Sequence, residues 1–553
     1  VTGAAPGRVE PAETGPPAAP VGRAQSVVRR ILVFVILFAL VSVAASGISG
    51  LLQRALEVGR VISADDAGLA LSLAFTLIGA PLAAVLWWWE RRRLAVDPAE
   101  RASLVWALYV TAMSFTALVI ATTALGRTAV EAIDGDWRPG DLATGAVWLG
   151  VWIWHRWMRR SAVTAPTRLV DLPTGLGAVF GLVVAAYSAI SAIAGLITQA
   201  LLGVTVQLAA SADWAVPILQ ALIWCAIGLL VWWWHWFREG AKDARGGFAG
   251  VLLVAVIGAA AATTLFAIGS VLFLVLRLLF DSAPLAEIVS SLDVAIAAAL
   301  VGATVWVYHA QVLAGRSPQT RRAARLVISA IALIGAASGF GVVVNALLAT
   351  LGGRLVDDDP RTLLLGGISA LVVGATVWVI AWRPARGVDP EEAADPARRV
   401  YLVVVFGASA VVAIVTLLII GYRVFEFALD VGGPDALVER IRAPLGLLSA
   451  TALVFAYHFA IWRRDRALAP AAARRQAIGK VVVLGAGDVR ALTEAIRTET
   501  NAAVSVWPVA AGTPGVVDAD AAAVLELLSV ARAARVLVVA GEQGGVRLIP
   551  LAD

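Results

Sequence analysis

Six times along the chain a long apolar run ends in a cluster of aromatic residues, usually with arginines close behind. The fullest copy is Val231-Trp232-Trp233-Trp234-His235-Trp236-Phe237-Arg238. Before it come Leu86-Trp87-Trp88-Trp89-Glu90-Arg91 and Val151-Trp152-Ile153-Trp154-His155-Arg156. After it come Val305-Trp306-Val307-Tyr308-His309, Val377-Trp378-Val379-Ile380-Ala381-Trp382 and Val454-Phe455-Ala456-Tyr457-His458. All 4 histidines hold the same place in the pattern, with Glu90 and Ala381 in the other two copies. Recurrence of this kind marks internal duplication, which has to be recognised before a fold is assigned.

The runs themselves reach roughly 20 residues or more, the length that crosses about 30 Å of hydrocarbon as a helix. With 60% hydrophobic and 15% charged residues over 553 positions, the composition excludes an ordinary soluble domain. The net charge of +5 does not indicate nucleic acid, because the basic residues sit in short loops between apolar runs. The one cysteine, Cys225, lies inside an apolar run, which excludes an intrachain disulfide or cysteine metal site and reads as a small buried apolar residue.

Residues 1–28, rich in Ala, Pro and Gly, read as a disordered cytoplasmic leader. From there two kinds of segment alternate. One kind is rich in small residues, at 30–54, 102–127, 174–201, 248–278, 324–351 and 398–425; the other ends in the aromatic motif, at 67–89, 141–158, 215–237, 289–310, 362–382 and 443–462. The expected fold is therefore an all-α polytopic membrane protein of about twelve transmembrane helices, arranged as six parallel-repeat hairpins. Loops after the motif are arginine-rich (Arg91, Arg92 and Arg93; Arg156, Arg159 and Arg160), whereas those within hairpins carry Asp65 and Asp66, Asp134 and Asp136, or Asp357 to Asp359. Arginine excess marks the cytoplasmic side, so both termini are expected there. Gly335 to Gly339 reads as a small-residue packing face. A linker at 469–479 leads to a small cytoplasmic α/β domain at 480–553, with strands at Lys480, Ala503 and Arg535 and a closing hairpin into Val546 to Leu551.

Candidate chemistry is sparse. His155, His235, His309 and His458 could ligate haem or a metal, or sense pH. The preferred reading makes them members of an interfacial aromatic belt with Trp87, Trp88, Trp89, Trp152, Trp154, Trp232, Trp233, Trp234, Trp306 and Trp378, at the level of headgroups and water. A second polar series (Arg54, Arg127, Arg277 and Arg423, with Gln199 and Asn345) falls near the outer ends of the first helices, as snorkelling or pathway residues. Arg54, Arg127 and Arg423 each precede a glutamate at helical spacing: Glu57, Glu131 and Glu426. Asp293 lies 16 residues before His309, roughly 24 Å along a helix and close to the outer surface, as a helix start or an ion site. Gly485-Ala486-Gly487 resembles the start of a dinucleotide fingerprint, but Arg490 stands at the third glycine position, and a tight strand-to-helix turn is the preferred reading.

With the repeats laid out, the chain resembles an uncharacterised bacterial family of integral-membrane domains, a domain of unknown function whose unit of about four spans recurs in tandem. The likeness rests on the Trp-rich helix ends. It implies three units, 29–170, 171–318 and 319–468, leaves 480–553 outside, and supplies no catalytic residues. The Ala/Arg-rich, Lys-poor composition points to a high-GC bacterium, so the expected location is a bacterial inner membrane. The functional expectation is a non-enzymatic scaffold or sensor without cofactor or metal. Its partners would be the lipid bilayer, a cytoplasmic protein bound through 480–553, and further copies of the chain. Alternatives are a transporter or channel with a pathway among the hairpins, and a haem- or quinone-linked redox protein using the histidines.

Overall fold

A computed structural model describes residues 21–57, 66–136, 138–205, 214–350, 360–383, 393, 395–429, 436–468, 478–500, 502–510, 512–531, 533–540 and 545–551. Most of the expected leader and linker, Asp65, Asp357 to Asp359, and the turn at Gly541 to Gly544 lie outside the described residues.

Long helices dominate. In chain order they are α1 (Val21–Leu56), α2 (Asp66–Val96), α3 (Leu104–Glu131), α4 (Pro139–Arg160), α5 (Leu172–Thr205) and α6 (Ala215–Arg238). Then follow α7 (Gly247–Phe280), α8 (Leu285–Ala314), α9 (Pro318–Ala349), α10 (Pro360–Trp382), α11 (Pro396–Ala428) and α12 (Leu437–Leu468). Among the described residues, 11 helices are long and apolar enough to cross a membrane. The exception is α4, the shortest, whose last turn carries Arg159 and Arg160. Helices suit an apolar environment because their backbone groups are satisfied within the segment. Their starts follow capping chemistry: the Ser103 hydroxyl accepts the Trp106 amide at 3.2 Å to open α3, and Ser317 accepts that of Thr320 at 3.3 Å to open α9.

The chain forms two compact bodies, Val1–Ala381 with Arg423–Leu447, and Trp382–Tyr422 with Leu448–Asp553. In the larger body α3 packs on α4, α5 on α6, and α7 on α8, while α1 also packs on α4 and α5 on α8. Phe34, Leu37, Trp106, Val110, Met113 and Met158 form one buried core. Where α5 crosses α6, a Cβ on Gly228 would sit 2.8 Å from the Ala185 Cα, so glycine there permits backbone-to-backbone packing. On the expected small-residue face, a Cβ on Gly339 would lie 2.7 Å from the Gly367 carbonyl of α10.

The smaller body holds the C-terminal domain. Its strands β1 (Lys480–Gly485), β2 (Ala503–Pro508), β3 (Arg535–Ala540) and β4 (Val546–Pro550) pair in the order β2-β1-β3-β4. The first three run parallel, and β4 closes the expected hairpin antiparallel to β3. Helices α13 (Arg490–Thr500) and α14 (Ala521–Val530) bury Leu492, Ile496, Val524 and Leu528 against Val481, Val483, Val536 and Val538.

Candidate functional site

The aromatic helix ends turn their histidines inward. His155, His235, His309 and His458 are all buried, as is Glu90 at the same place in the first copy. This corrects the expectation that the position lies in water. Arginines follow within a turn or two of each position, but the imidazole itself faces protein. Each ring closes a short loop on its own helix, with Nδ1 at 2.8 or 2.9 Å from the carbonyl four residues back: Val151, Val231, Val305 and Val454. A carbonyl only accepts, so Nδ1 carries the proton and Nε2 keeps its lone pair. In α6 a π-turn at Trp234–Arg238 shifts the register so that His235 and Trp236 are buried side by side.

Matching the second helix pair of each repeat places three different chemistries at one position. The alignment rests on shared buried faces, Val110 with Leu253 and Leu402, Ala117 with Ala260 and Ser409, and Ala124 with Ala267 and Thr416. In repeat 1 the Tyr109 hydroxyl donates to His155 Nε2 at 3.3 Å, and Trp106, fully buried, donates to the Thr164 carbonyl at 2.9 Å. Phe34 and Trp87 pack on the Trp106 ring at 5.3 and 6.2 Å. In repeat 3 Tyr401 keeps its place beside His458, with ring centroids 6.0 Å apart, but Arg398 replaces the tryptophan and donates to Asp465 at 2.7 Å. In repeat 2 the matching residues are Ala249 and Leu252, and they line a cavity of about 30 Å³ with Asp171, Trp236, His309 and Arg316. That volume holds about one water molecule. Arg316 donates to the carbonyls of Ala244 and, at 2.6 Å, Lys242.

Tryptophans tie the repeated ends together. Trp236 donates to the Tyr308 hydroxyl at 2.8 Å, Trp382 donates to that of Tyr457 at 2.9 Å, and Trp87 meets Trp154 edge-on at 5.4 Å. Trp88, Trp89 and Trp233 are exposed, whereas Trp152, Trp154, Trp232, Trp234, Trp306 and Trp378 are half-buried.

Three carboxylates at this end were missed by reading the loops for arginine alone. Asp97 and Pro98 start a one-turn helix, Pro98–Arg101, which directs Glu100 inward. There it accepts from Arg29 at 3.2 Å, Arg30 at 2.8 Å and Arg93 at 3.2 Å. Glu239, just beyond α6, accepts from Arg156, from Arg159 at 2.9 Å and from Arg160 at 3.4 Å, clamping repeat 2 to α4 of repeat 1. Burial alone would push its carboxyl up, but the Arg159 and Arg156 guanidiniums outweigh that and hold it below the ordinary value. Asp465 is the third. The signal was available: each is an acid set in an arginine-rich stretch.

At the opposite helix ends the second polar series is answered locally rather than gathered. Arg277 donates to Asp281 at 2.7 Å and Glu287 at 3.2 Å, and Arg423 pairs with Glu426 at 2.8 Å as its spacing suggested. Glu131 pairs with Arg138 at 3.5 Å, Arg127 is exposed, and Arg54 is half-buried. Asn345 accepts from Arg442 at 3.1 Å. Asp293 accepts from the Thr198 hydroxyl at 2.6 Å, joining α8 to α5. In the C-terminal domain the amide of Leu492 near the start of α13 is taken by the Asp518 carboxylate at 2.8 Å. Gly515 of the covering loop lies so close that its Cβ would sit 2.8 Å from Ala486. The glycine turn is thus closed over by the chain itself.

A family model described as a domain of unknown function (DUF5671) matches residues 30–153, 171–295 and 322–453. The chain belongs to that family. The three tandem DUF5671 copies run from α1 into α4, from α5 into α8 and from α9 into α12, and the C-terminal domain falls outside them. No curated protein and no solved structure matches the chain.

Proposed function

We propose that this DUF5671 protein is a non-enzymatic scaffold or sensor of a bacterial inner membrane. It would span the bilayer twelve times, α4 included, as six parallel hairpins with both termini cytoplasmic. The exposed Trp88, Trp89 and Trp233 would form the interfacial belt there. Two features support a packing role for its polar residues. The histidines are anchored to their own helices, and the buried arginine of repeat 3 is matched by a carboxylate. The cavity that His309 lines has room for about one water-sized molecule, and would be the place for a sensed ligand of that size.

The observation that carries the scaffold reading is the open apolar surface of the C-terminal domain. Trp507 on the edge strand is 56% exposed and Val530 at the end of α14 is 73% exposed. Beside Val530 lies a groove of about 630 Å³ lined by Leu527, Val536, Val546 and Leu548. Exposed apolar patches of this kind mark interaction sites. A photo-crosslinking amino acid placed at Trp507 or Val530 in cells should yield discrete heavier adducts, whereas Glu494 and Arg497 on the polar face of α13 should not. Adducts of equal yield at all four positions, or at none, would remove the support. Orientation is checked separately in a Cys225→Ser background. Membrane-impermeant maleimide should label Asp136→Cys from outside intact cells, and Ala510→Cys only after permeabilisation.

The Thr198–Asp293 bond between two apolar helices favours a second reading, a transporter or channel. Ion flux in proteoliposomes that Asp293→Asn abolishes would put that reading first.

A further inference from the structure

Two junctions between consecutive repeats lie within the larger body and can be compared residue by residue. At the first, Gly126 of α3 faces Trp224 of α6, and any Cβ there would run into the indole. About three turns earlier on the same helix, Phe115 of α3 meets Phe180 of α5 edge-on, with centroids 6.1 Å apart. At the second junction the matching residues are Gly269 and Ala370, and Gly258 and Ile331. Of these only the second pair stays close, since a Cβ on Gly258 would meet the Ile331 side chain at 3.7 Å. Two large rings have been lost and one has become aliphatic. A Cβ added to Gly269 would meet nothing within 4 Å.

A crevice of about 370 Å³ occupies the place of those rings, between α7, α9 and α10, with Phe266, Gly269, Phe273, Gly335, Ala370 and Gly374 in its walls. At its mouth Phe266 is 81% exposed and Ile334 67%. Its polar side chain, Ser270, already donates to the Phe266 carbonyl at 3.0 Å, so no hydrogen-bonding group awaits a headgroup. All three helices qualify as membrane spans, and the crevice lies well inside their ends. It therefore opens at the depth of lipid tails.

We propose that the second junction binds one hydrocarbon chain of a membrane lipid, which packs where the Trp224 indole packs at the first. The proposal rests on the membrane reading above. An unfilled gap of this size would leave its walls without dispersion partners. A hydrocarbon chain supplies them without requiring a polar contact, and neighbouring repeats are then joined through lipid at one junction and through protein at the other.

The test uses the full chain in phosphatidylethanolamine and phosphatidylglycerol vesicles containing a fraction of phosphatidylcholine with a mid-chain diazirine. After photolysis, labelled peptides are mapped. Lipid adducts at 262–273 and 366–374 should exceed those on the exposed apolar residues Val411, Ile414 and Leu418 of α11 by several-fold. Ala370→Trp should remove that excess, and Trp224→Ala should create a new one around Gly126. Should Ala370→Trp fail to fold, Gly269→Leu fills the crevice from its open wall. Even labelling of all apolar helices would overturn the site while leaving the membrane reading intact. Protein–protein adducts replacing lipid adducts, or an excess unchanged by both filling variants, would overturn it as well. A chain that takes no label from any vesicle would overturn the membrane reading itself.

Discussion

In repeat 1 the ring of His155 sits beneath Tyr109 and Trp106, whereas in repeat 2 the ring of His309 faces the room left by Leu252 and Ala249. The backbones are alike and both imidazoles are anchored in the same way, so the difference lies in two side chains on the neighbouring helix. Duplication copies a helix pair, and the copies then diverge where packing tolerates it. Repeat 1 became an aromatic core, repeat 3 an arginine–carboxylate pair, and repeat 2 a small, mostly apolar cavity. A group of residues needed for one reaction would not survive such changes in three copies, which favours a structural role for the constant histidine. It also singles out repeat 2 as the copy with room for a ligand.

The comparison breaks most directly at Trp106. Replacing it with alanine gives repeat 1 the residue that repeat 2 has naturally, but in a core built around the indole. Loss of the ring and of its bond to Thr164 should cost about 3–5 kcal/mol. Denaturant unfolding in micelles measures it, and a loss under about 1 kcal/mol would mean the two repeats are equally loose.

Repeat 3 offers the next largest effect. Asp465→Ala would leave Arg398 buried without its carboxylate and should destabilise by about 3 kcal/mol. Combining it with Arg398→Trp, which imports the repeat 1 solution, should recover most of that. A double variant as unstable as the single one would show that the repeats are not interchangeable here.

How much of this was legible follows from what each signal reports. Apolar length and the recurring tryptophans report burial in an apolar phase, so the long helices and their sixfold recurrence could be read directly, whereas the threefold grouping came from the family resemblance. Val481, Val483, Val536 and Val538 likewise announced two buried strands, though not that they run parallel. The direction in which a histidine points was not legible, because one residue of register decides between lipid, water and protein. In α6 the π-turn at Trp234 changes that register without any residue that signals it. Nor could Ala249 be recognised as the partner of Trp106 until the buried faces of α3 and α7 were matched. The clamps were legible in principle, since Glu100 and Glu239 are acids set in arginine-rich stretches, but counting positive charge for orientation passes over them.

Glu239 sharpens the comparison by joining the two repeats. Its carboxyl titrates below the ordinary value of 4.5, so its stabilisation is complete above that range and is lost as pH falls through the lowered value. Glu239→Gln should cost about 2 kcal/mol near neutrality. It should also flatten the acid limb of the stability profile, measured by thermal unfolding from pH 7 down to pH 3. An acid limb identical in wild type and variant would show that other carboxylates govern it.

The smallest effect is expected from filling repeat 2 as repeat 1 is filled. Leu252→Tyr places a phenol where Tyr109 stands, with its hydroxyl aimed at His309 Nε2. The new bond contributes about 1 kcal/mol, and the extra volume costs a similar amount if the cavity has to widen, so stability should change by no more than about 1 kcal/mol. The imidazole nitrogen chemical shifts of His309 should nevertheless move toward those of His155, because Nε2 gains a donor. If stability falls by about 3 kcal/mol instead, the cavity has a shape of its own rather than being the vacated place of a tyrosine. If the shifts stay put while the fold is kept, the lone pair of His309 points away from Leu252, and the sensing role assigned to that cavity loses its basis.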